Sequence, residues 1–577
     1  MGWWWIAAAA AAALAYVAAK LMEVLWWRPR RVEEHFARQG IRGPPYRFFI
    51  GCVREMVALM VAASAKPMPP PYRSHNVLPR VLAFYHHWKK IYASSPAALP
   101  GLVDADVAEH GLPRQSLIPL FACLLVAHGH LILLLLLTGS TFLIWFGPTP
   151  RLAVADPDLI REILLSRAEH FDRYESHPMV RQLEGEGLVS LRGEKWAHHR
   201  RVLAPTFHME NLKMLLPFIG KTVVDMAEKW VTMADPASGE VEIDVSEWFQ
   251  IVTEDAITRT AFGRSYEDGK AVFKLQTQLM AFASEAFRKV FIPGYRFLPT
   301  KKNTSSWKLD KEIRKNLVTL IGRRQEATDD ERLQGCAKDL LGLMINASSN
   351  GGRRGQPVSP ITVNDIVEEC KTFFFAGKQT TSNLLTWTTV VLAMHPEWQE
   401  RARHEVLEVC GAHDIPCREQ LAKLKTVSMI LNETLRLYPP AVATVRRAKS
   451  DVVLGGYHIP RDTELLIPIM AVHHDARLWG PDATQFNPAR FADGVARAAK
   501  HPTAFIPFGL GARMCIGQNL ALLEAKLTVA IILQRFEFRL SPKYVHAPTV
   551  LMLLHPQYGA PVIFRSRPSS QTPDHRL

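Results

Sequence analysis

The amino-acid sequence predicts a mainly α-helical protein with a small β region, preceded by one transmembrane helix at the N-terminus. Long segments repeat apolar residues at helical spacing, and the clearest covers residues 362–394. Segments that alternate apolar and polar residues, as strands do, are short and few. The chain also opens with an apolar run, residues 3–19, that carries no charge. These three observations predict the fold class.

The first 27 residues are predicted to be a membrane anchor. After the uncharged run, tryptophans recur at the far end, and the whole segment is long enough to cross a hydrocarbon core roughly 30 Å thick. Arg28, Arg30 and Arg31 follow, which places the rest of the chain on the cytosolic side. A cleaved signal peptide is the alternative, but its basic start is missing and the apolar segment is longer than usual.

The region after the anchor is predicted to be a linker followed by one globular domain. Residues 28–60 form a basic linker, in which the prolines of Gly43-Pro44-Pro45 make a stiff, extended elbow. The globular domain is expected to cover residues 61–577 and to be interrupted by residues 93–138.

This interrupting segment does not fit the pattern around it. Residues 116–138 are the most apolar stretch of the chain, yet Pro119, Gly129 and two histidines break it. A second membrane crossing would carry everything after it to the wrong side. Removing residues 93–138 joins HHWKKIY, the end of a helix, directly to the strand GSTFLIWFG. We therefore interpret the segment as a translated retained intron or an isoform insertion without catalytic residues, which sequencing of the transcript across the junction would test.

Composition excludes several classes of protein. The chain has 577 residues and a net charge of +14, but no basic stripe interleaved with aromatic residues, so nucleic-acid binding is not expected. The basic surface either borders anionic lipid or docks an acidic protein partner. Its seven cysteines form no Cys-x-x-Cys pair. This argues against a zinc site or a disulfide framework and for reduced cytosolic thiols.

Local signals define the helices and strands of the globular domain. The long helix is predicted to begin at Thr362, backed by Asp365, and to end before Pro396. Two further helices are predicted over residues 396–410 and 424–438. The predicted strands are TFLIWFG, RLAVA, DVVLGGYHI, ELLIPI and VLMLL.

One cysteine stands in a motif with its own chemistry. Six residues follow the order F-G-x-G-x-R-x-C-x-G, which would arise by chance with odds on the order of 10⁻⁵ in a chain of this length. The glycines permit positive φ angles and a close backbone approach to a flat ligand. The cysteine lies just before a helix that begins near Ile516, where unpaired N–H groups favour a thiolate. The six residues are Phe508, Gly509, Gly511, Arg513, Cys515 and Gly517.

This motif resembles the cysteine motif of the plant cytochrome P-450s, which are haem-thiolate monooxygenases. The resemblance implies the cytochrome P-450 fold and a haem b whose iron is bound by Cys515. Arg513 would hold a haem propionate, and Phe508 would screen the sulfur from water. Electrons would come from NADPH through NADPH–cytochrome P-450 reductase. The resemblance further implies a single-pass protein of the endoplasmic reticulum membrane with its catalytic domain in the cytosol.

Other motifs of the family occur in the same order. Glu433 and Arg436 match E-x-x-R and, with Arg490, resemble a buried Glu-Arg-Arg network. By the same resemblance, three further residues would contact haem propionates: Trp196 and Arg200, which match W-x-x-x-R, and Arg446.

The segment 376–381 resembles the groove in which the family activates oxygen. Gly377 costs about 1 kcal/mol in a helix relative to alanine, so it indicates either an opened groove or close helix packing. By the family match, Thr380 would hydrogen-bond dioxygen and relay protons. Gln379 replaces the usual acid; it can orient water but cannot ionise. The catalytic residues implied are Thr380, Gln379 and Gly377.

The implied substrate pocket is almost entirely apolar, so the substrate is expected to be lipophilic. The expected lining residues are Phe373, Phe374, Ala376, Ala441, Val442, Ala443, Thr444, Leu551 and Leu553. The stretches FFFAGKQTTSNLLTWT and HAPTVLMLLHPQYGAP, among others, resemble plant cytochrome P-450s that inactivate brassinosteroids by hydroxylating carbon 26. The alternatives are an oxidase of fatty acids, gibberellins or triterpenoids, or a non-catalytic isoform if residues 93–138 disrupt the fold.

Overall fold

The computed structural model describes residues 2–93 and 141–567, except residues 71, 73, 177, 264–265, 288–297, 327–338 and 351–360. The predicted insertion, residues 93–138, lies outside the described residues apart from Ala93. The described chain divides into two compact units. Of the described residues, those within 1–60, 82–171 and 445–468 form the smaller unit, and those within 61–81, 172–444 and 469–577 form the larger unit.

Helices dominate the described residues and strands are short, which confirms the predicted fold class. In chain order the helices are α1 (Gly2–Met22), α2 (Arg28–Arg38), α3 (Val53–Ser64), α4 (Leu78–Val81), α5 (Ala83–Trp88), α6 (Pro157–Arg161), α7 (Pro178–Glu184), α8 (Gly193–Leu203), α9 (Met209–Leu212), α10 (Leu216–Met233), α11 (Val245–Phe262), α12 (Tyr266–Phe287), α13 (Lys301–Glu326), α14 (Leu340–Asn350), α15 (Val363–Met394), α16 (Pro396–Cys410), α17 (Arg418–Lys423), α18 (Lys425–Leu437), α19 (Ile469–His473), α20 (Ala476–Trp479) and α21 (Gln518–Arg535).

The strands form small sheets. They are β1 (Phe142–Phe146), β2 (Thr149–Ala153), β3 (Phe171–Arg173), β4 (Glu240–Asp244), β5 (Thr444–Ala448), β6 (Val452–Leu454), β7 (Tyr457–Ile459), β8 (Glu464–Ile467), β9 (Phe536–Leu540), β10 (Pro548–Leu551), β11 (Leu553–Pro556) and β12 (Pro561–Ser566). One sheet has the order β1-β2-β8-β5-β3, with β1 antiparallel and β8 parallel to β2. The others are the antiparallel sheet β4-β12-β9 and the hairpins β6-β7 and β10-β11.

The N-terminal helix is longer than predicted. In the part of the chain that the structure describes, one helix is long and apolar enough to span a membrane, Trp3–Arg38. It continues past residue 27 through a π turn, Glu23–Trp27, into α2. The π turn, in which the N–H of Arg28 donates to the carbonyl oxygen of Glu23, changes the bonding pattern directly before Pro29 and lets the helix continue past a residue that has no N–H.

The predicted linker, residues 28–60, is therefore folded over much of its length. Phe36 on α2 is fully buried. In the same unit a ring nitrogen of His35 lies 2.8 Å from the carbonyl oxygen of His458, on the β6-β7 hairpin. Arg28 lies 3.3 Å from Asp462. The prediction of a linker rested on the arginines and prolines of this segment. It did not anticipate that Phe36 would be buried and would anchor α2 to its unit.

The long helix α15 forms the centre of the larger unit. Thr362 and Asp365 make the predicted capping box, and the helix ends at Met394, before Pro396. Residues 365–374 and 381–392 of α15 are all buried, as suits a core helix. The helices predicted over residues 396–410 and 424–438 correspond to α16 and α18. Local capping signals therefore place the elements that carry the candidate site.

Candidate active site

The cysteine loop, residues 508–517, leads into helix α21. The N–H of Cys515 donates to the carbonyl oxygen of Phe508 at 2.8 Å, which closes the loop. Gly509 and Gly511 have φ angles of 74° and 75°, so both need glycine, as predicted. Gly517 caps helix α21 with a φ of −87°, an angle that any residue can adopt, so this position does not require glycine. The helix begins at Gln518, two residues later than predicted.

The Cys515 thiol lies in an internal hollow. Its side chain is exposed, yet burial is the largest influence on the pKa of the thiol and raises it above its ordinary value. An exposed atom surrounded by protein faces a hollow, not the outer surface. Hydrogen bonds from the backbone N–H groups of Gly517 and Gln518, and the charge of Arg200, lower the same pKa. These groups stabilise a thiolate, as the helix N-terminus predicted.

Two arginines and a tryptophan adjoin the cysteine loop. Helix α8 carries Trp196 and Arg200 one turn apart. The Arg513 guanidinium lies over the Trp196 ring, 4.5 Å from its centroid, and donates to the carbonyl oxygen of Leu191 at 2.9 Å. Arg200 donates to the carbonyl oxygen of Met514 at 2.9 Å. The structure therefore brings three of the four predicted propionate contacts together.

Arg446, the fourth predicted contact, belongs to the smaller unit. It lies on β5, is buried, and donates to the carbonyl oxygen of its neighbour Val445 at 3.1 Å. Its role toward a propionate stays a prediction.

The middle of α15 is only half-buried, although residues 365–374 and 381–392 on either side of it are buried. Phe375, Ala376, Gln379 and Thr380 are half-buried and lie on one face of the helix. The Thr380 hydroxyl donates to the carbonyl oxygen of Ala376 at 2.6 Å, one turn earlier. Gln379 lies one turn after Phe375. The predicted groove residues therefore share a face.

Two of the phenylalanines predicted to line the pocket are buried in helix packing instead. Phe374 stacks on Phe273 of α12 with ring centroids 3.7 Å apart and is fully buried. Phe373 is 5% exposed and stacks on Phe207 at 5.4 Å. Consecutive helical residues point 100° apart, so only Phe375 shares the face of Gln379. The four-residue spacing between Phe375 and Gln379 was the signal that the sequence analysis missed.

Gly377 is required by helix packing. A Cβ added there would lie 2.5 Å from the Ile257 side chain of α11. This favours the packing alternative over the opened groove for Gly377 itself.

A substitution tests this assignment. Gly377→Ala gains about 1 kcal/mol of helix propensity but forces overpacking that costs about 1–3 kcal/mol, so its melting temperature is expected to fall. In an Ile257→Ala background the two closest atoms, Cγ1 and Cδ1, are gone and only the Cβ remains, 3.0 Å away, so the same change is expected to lower the melting temperature less. A Gly377→Ala protein that melts higher with Ile257 intact would contradict the packing assignment.

The other pocket segments meet in the larger unit. The N–H of Leu554, on β11, donates to the carbonyl oxygen of Pro440 at 2.9 Å, which joins the β10-β11 hairpin to residues 440–444. The half-buried residues here are Ala441, Ala443, Thr444, Leu551 and Leu553, whereas Val442 is buried. Met552, between the two strands, has a φ of 68° and is half-buried as well. Nothing in the sequence indicated its left-handed backbone.

The structure also brings the predicted Glu-Arg-Arg residues together. Arg436 holds both oxygens of Glu433 at 2.7 and 2.8 Å, and both side chains are fully buried. Arg490 lies 3.5 Å from Glu433 without hydrogen-bonding to it, and pairs more closely with Asp482. Asp482 is a member that the motif did not include.

His473 extends this network to the cysteine loop. Burial lowers the pKa of His473 to about 3, so the ring is neutral. Its Nε2 accepts the N–H of Ile506 at 3.0 Å. The ring's other nitrogen, Nδ1, therefore carries the proton and donates to the carbonyl oxygen of Arg436 at 3.2 Å. The sequence analysis did not single out this histidine.

Comparison with known proteins decides the family. A family model described as "Cytochrome P450" matches residues 119–561. The chain belongs to this family. The P450 is 79% identical to "Cytochrome P450 734A6" of Oryza sativa subsp. japonica over 99% of this chain and 98% of that protein. It is 60% identical to "Cytochrome P450 734A1" of Arabidopsis thaliana over 96% of this chain and 95% of that protein.

A solved structure shows the same fold. The P450 resembles "Retinoic acid bound cyanobacterial CYP120A1" with a TM-score of 0.63 and 23% identity, over 74% of this chain and 92% of that one. At this identity the likeness concerns the fold alone. The family match begins at residue 119, inside the segment treated as an insertion, and the insertion hypothesis stays a prediction.

As a member of the family the P450 is a haem-thiolate monooxygenase that receives electrons from a redox partner. The residues described here fit a haem. The Cys515 thiol opens into an interior hollow, two glycines of its loop have positive φ angles, and two arginines lie beside it.

Proposed function

We propose that this P450 hydroxylates carbon 26 of the brassinosteroid side chain and so inactivates the hormone. The observation that carries the proposal is the identity of 60–79% to the 734A proteins along nearly the whole chain. The stretches around the groove and the β10-β11 hairpin resemble the enzymes with this activity. The half-buried residues of the expected pocket are mostly apolar, which suits a sterol.

Each part of the site has a proposed task. When bound, the haem supplies the oxidising chemistry, and its thiolate ligand favours cleavage of the O–O bond. Cys515 would hold the iron, and the N–H groups of Gly517 and Gln518 would stabilise the negative charge of its sulfur. Arg513, Arg200 and Trp196 would hold the propionates.

On the opposite wall, Thr380 and Gln379 would handle protons. Thr380 keeps its hydroxyl proton on the carbonyl oxygen of Ala376, which leaves its lone pairs available to accept a hydrogen bond. Gln379 is half-buried on the same face and can orient water there. Because an amide does not ionise, protons would pass through water and the Thr380 hydroxyl.

The anchor and the electron supply belong to the same proposal. The helix Trp3–Arg38 would hold the protein in the endoplasmic reticulum membrane as a single-pass protein with its catalytic domain in the cytosol. NADPH–cytochrome P-450 reductase, anchored in the same membrane, would supply the electrons.

The test uses the full chain in membranes with the reductase and NADPH. Castasterone or brassinolide is expected to give the 26-hydroxylated steroid, identified by mass spectrometry. Omitting the reductase is the control. Turnover of fatty acids, gibberellins or triterpenoids with no steroid product would overturn the substrate proposal.

The reduced, CO-bound absorption spectrum is recorded on the same preparation. A thiolate-type Soret band without turnover of any of these substrates would mean that the site is intact but the substrate is another. A missing band would favour the non-catalytic isoform.

A further inference from the structure

Two ion pairs join helix α8 to helix α15. Lys195 Nζ lies 2.5 Å from Asp365, and one turn further along both helices His199 Nδ1 lies 2.6 Å from Glu369 Oε1. The two pairs stand four residues apart on each helix, so they form a short ladder in register. None of these four residues belongs to the motifs that identified the site.

The two pairs differ in burial. Lys195 is 55% exposed, and an exposed pair contributes little. His199 and Glu369 are 2% and 0% exposed. The other oxygen of Glu369, Oε2, accepts the N–H of Leu188 at 2.9 Å. At Gly187 an added Cβ would lie 2.6 Å from that oxygen, so the carboxylate is enclosed by backbone.

The next residue in each turn of α8 faces the cysteine loop. Trp196 follows Lys195 and lies under the Arg513 guanidinium, while Arg200 follows His199 and donates to the Met514 carbonyl. One face of α8 is therefore bonded to the helix of the oxygen groove, and the adjacent face to the loop of the thiolate. The position of α8 depends on both.

Glu369 does not supply protons to the groove directly. It lies eleven residues before Thr380, three helical turns or roughly 16 Å along the axis. Phe373 comes one turn after Glu369 on the same face, and its ring stacks on Phe207. This aromatic pair blocks the direct route along the helix.

We propose that His199 and Glu369 are positioning residues that hold the propionate-binding helix against the helix of the oxygen groove. The proposal rests on the haem placement given above. When the pair is lost, the two walls of the site are expected to shift relative to each other. NADPH would then be consumed without hydroxylation: its two electrons, with two protons, reduce dioxygen to hydrogen peroxide.

The experiment compares two side chains of similar shape at one position. The amide nitrogen of Asn is as far from the backbone as His199 Nδ1, the atom that meets Glu369, so His199→Asn can keep the hydrogen bond, whereas the isosteric His199→Leu cannot. In the full-length holoenzyme with reductase, His199→Leu is expected to form about tenfold less product per NADPH, since small displacements cost rate steeply, and to release more hydrogen peroxide. His199→Asn is expected to stay within about twofold of the parent protein. Lys195→Gln, which removes the exposed charge of the other pair, is the control and is expected to match the parent.

Haem content and the reduced CO spectrum are measured on each variant. Equal coupling in His199→Leu and the parent, per haem, would overturn the proposal, even if the variant melts lower. So would equal losses in the Asn and Leu variants, because the bond to Glu369 would then not be the cause. If His199→Leu yields no holoenzyme, Glu369→Asp is compared with Glu369→Gln, since the shorter carboxylate loses reach and the amide keeps the length of the side chain. If the steroid is not hydroxylated but the Soret band is intact, the substrate proposal fails and this one does not. The coupling of the variants is then measured with any substrate that the enzyme does turn over.

Discussion

Cys515→Ser is expected to eliminate the thiolate-type Soret band of the reduced CO complex and to reduce hydroxylation to background. A serine hydroxyl stays protonated near neutral pH, so the iron loses the negatively charged sulfur that favours O–O cleavage. The hydrogen bond that closes the loop does not depend on the sulfur, because the backbone N–H of residue 515 would still donate to the carbonyl oxygen of Phe508. The variant should therefore fold, and the loss should be chemical.

A second exposed thiol provides the control. Cys417 is exposed, like Cys515, but lies at the start of α17. Cys417→Ser is expected to keep both the Soret band and the activity. A thiolate-type band that persists in Cys515→Ser would show that another residue binds the iron and would refute the assignment of the ligand.

The features predicted correctly depend on neighbours in the sequence. The capping box of α15 joins Thr362 to Asp365, three residues on, so its chemistry can be read within one turn. The positive φ angles of Gly509 and Gly511 have a similar origin, since the turn itself demands them. The thiolate environment of Cys515 also follows from the adjacent helix start.

The features that sequence reasoning missed depend on distant partners. Gly377 is fixed by Ile257, which lies 120 residues earlier on another helix. Glu369 meets His199 across a separation of 170 residues. Neither partner can be identified from spacing, because the distance along the chain carries no information about which helices pack.

The misassigned phenylalanines show an error of a different kind. Residues 373–375 are all phenylalanine, but the family resemblance led to only Phe373 and Phe374 being predicted as pocket lining. Successive residues of a helix point in different directions, so the three phenylalanines do not share a face. Phe374 packs against Phe273 and does not line the pocket. The sequence did hold the necessary information, because Phe375 lies four residues before Gln379 and therefore shares its helical face. The family pattern pointed to Phe373 and Phe374 instead.

Glu433→Ala is expected to have the largest effect on stability. The pair it forms with Arg436 is fully buried and bidentate, at 2.7 and 2.8 Å. Removing one partner leaves the arginine charge uncompensated in the core, which costs about 3–5 kcal/mol. Proteins commonly have only about 5–15 kcal/mol of stability in total. Little folded holoenzyme should accumulate, and what forms should melt lower by about 3–5 °C.

Replacing both partners by apolar residues is not expected to restore the protein. Some buried ion pairs tolerate this exchange, but Arg436 also donates to the carbonyl oxygens of His473, Ala483 and Gln485 at 2.8, 2.6 and 3.2 Å. An apolar pair would leave these buried carbonyls without donors, and each costs about 1–3 kcal/mol. Glu433→Leu combined with Arg436→Met should therefore melt as low as Glu433→Ala or lower.

The matched control is an exposed ion pair with the same charges. Glu34 and Arg38 are 70% and 81% exposed, and Glu34→Ala is expected to leave the yield and the melting temperature unchanged. A double variant that melts close to the parent would show that the carbonyl contacts of Arg436 are dispensable. The loss in Glu433→Ala would then come from the uncompensated arginine charge alone. If Glu433→Ala itself melts with the parent, the network is not what holds α18 to the segment that leads through His473 and Ile506 into the cysteine loop.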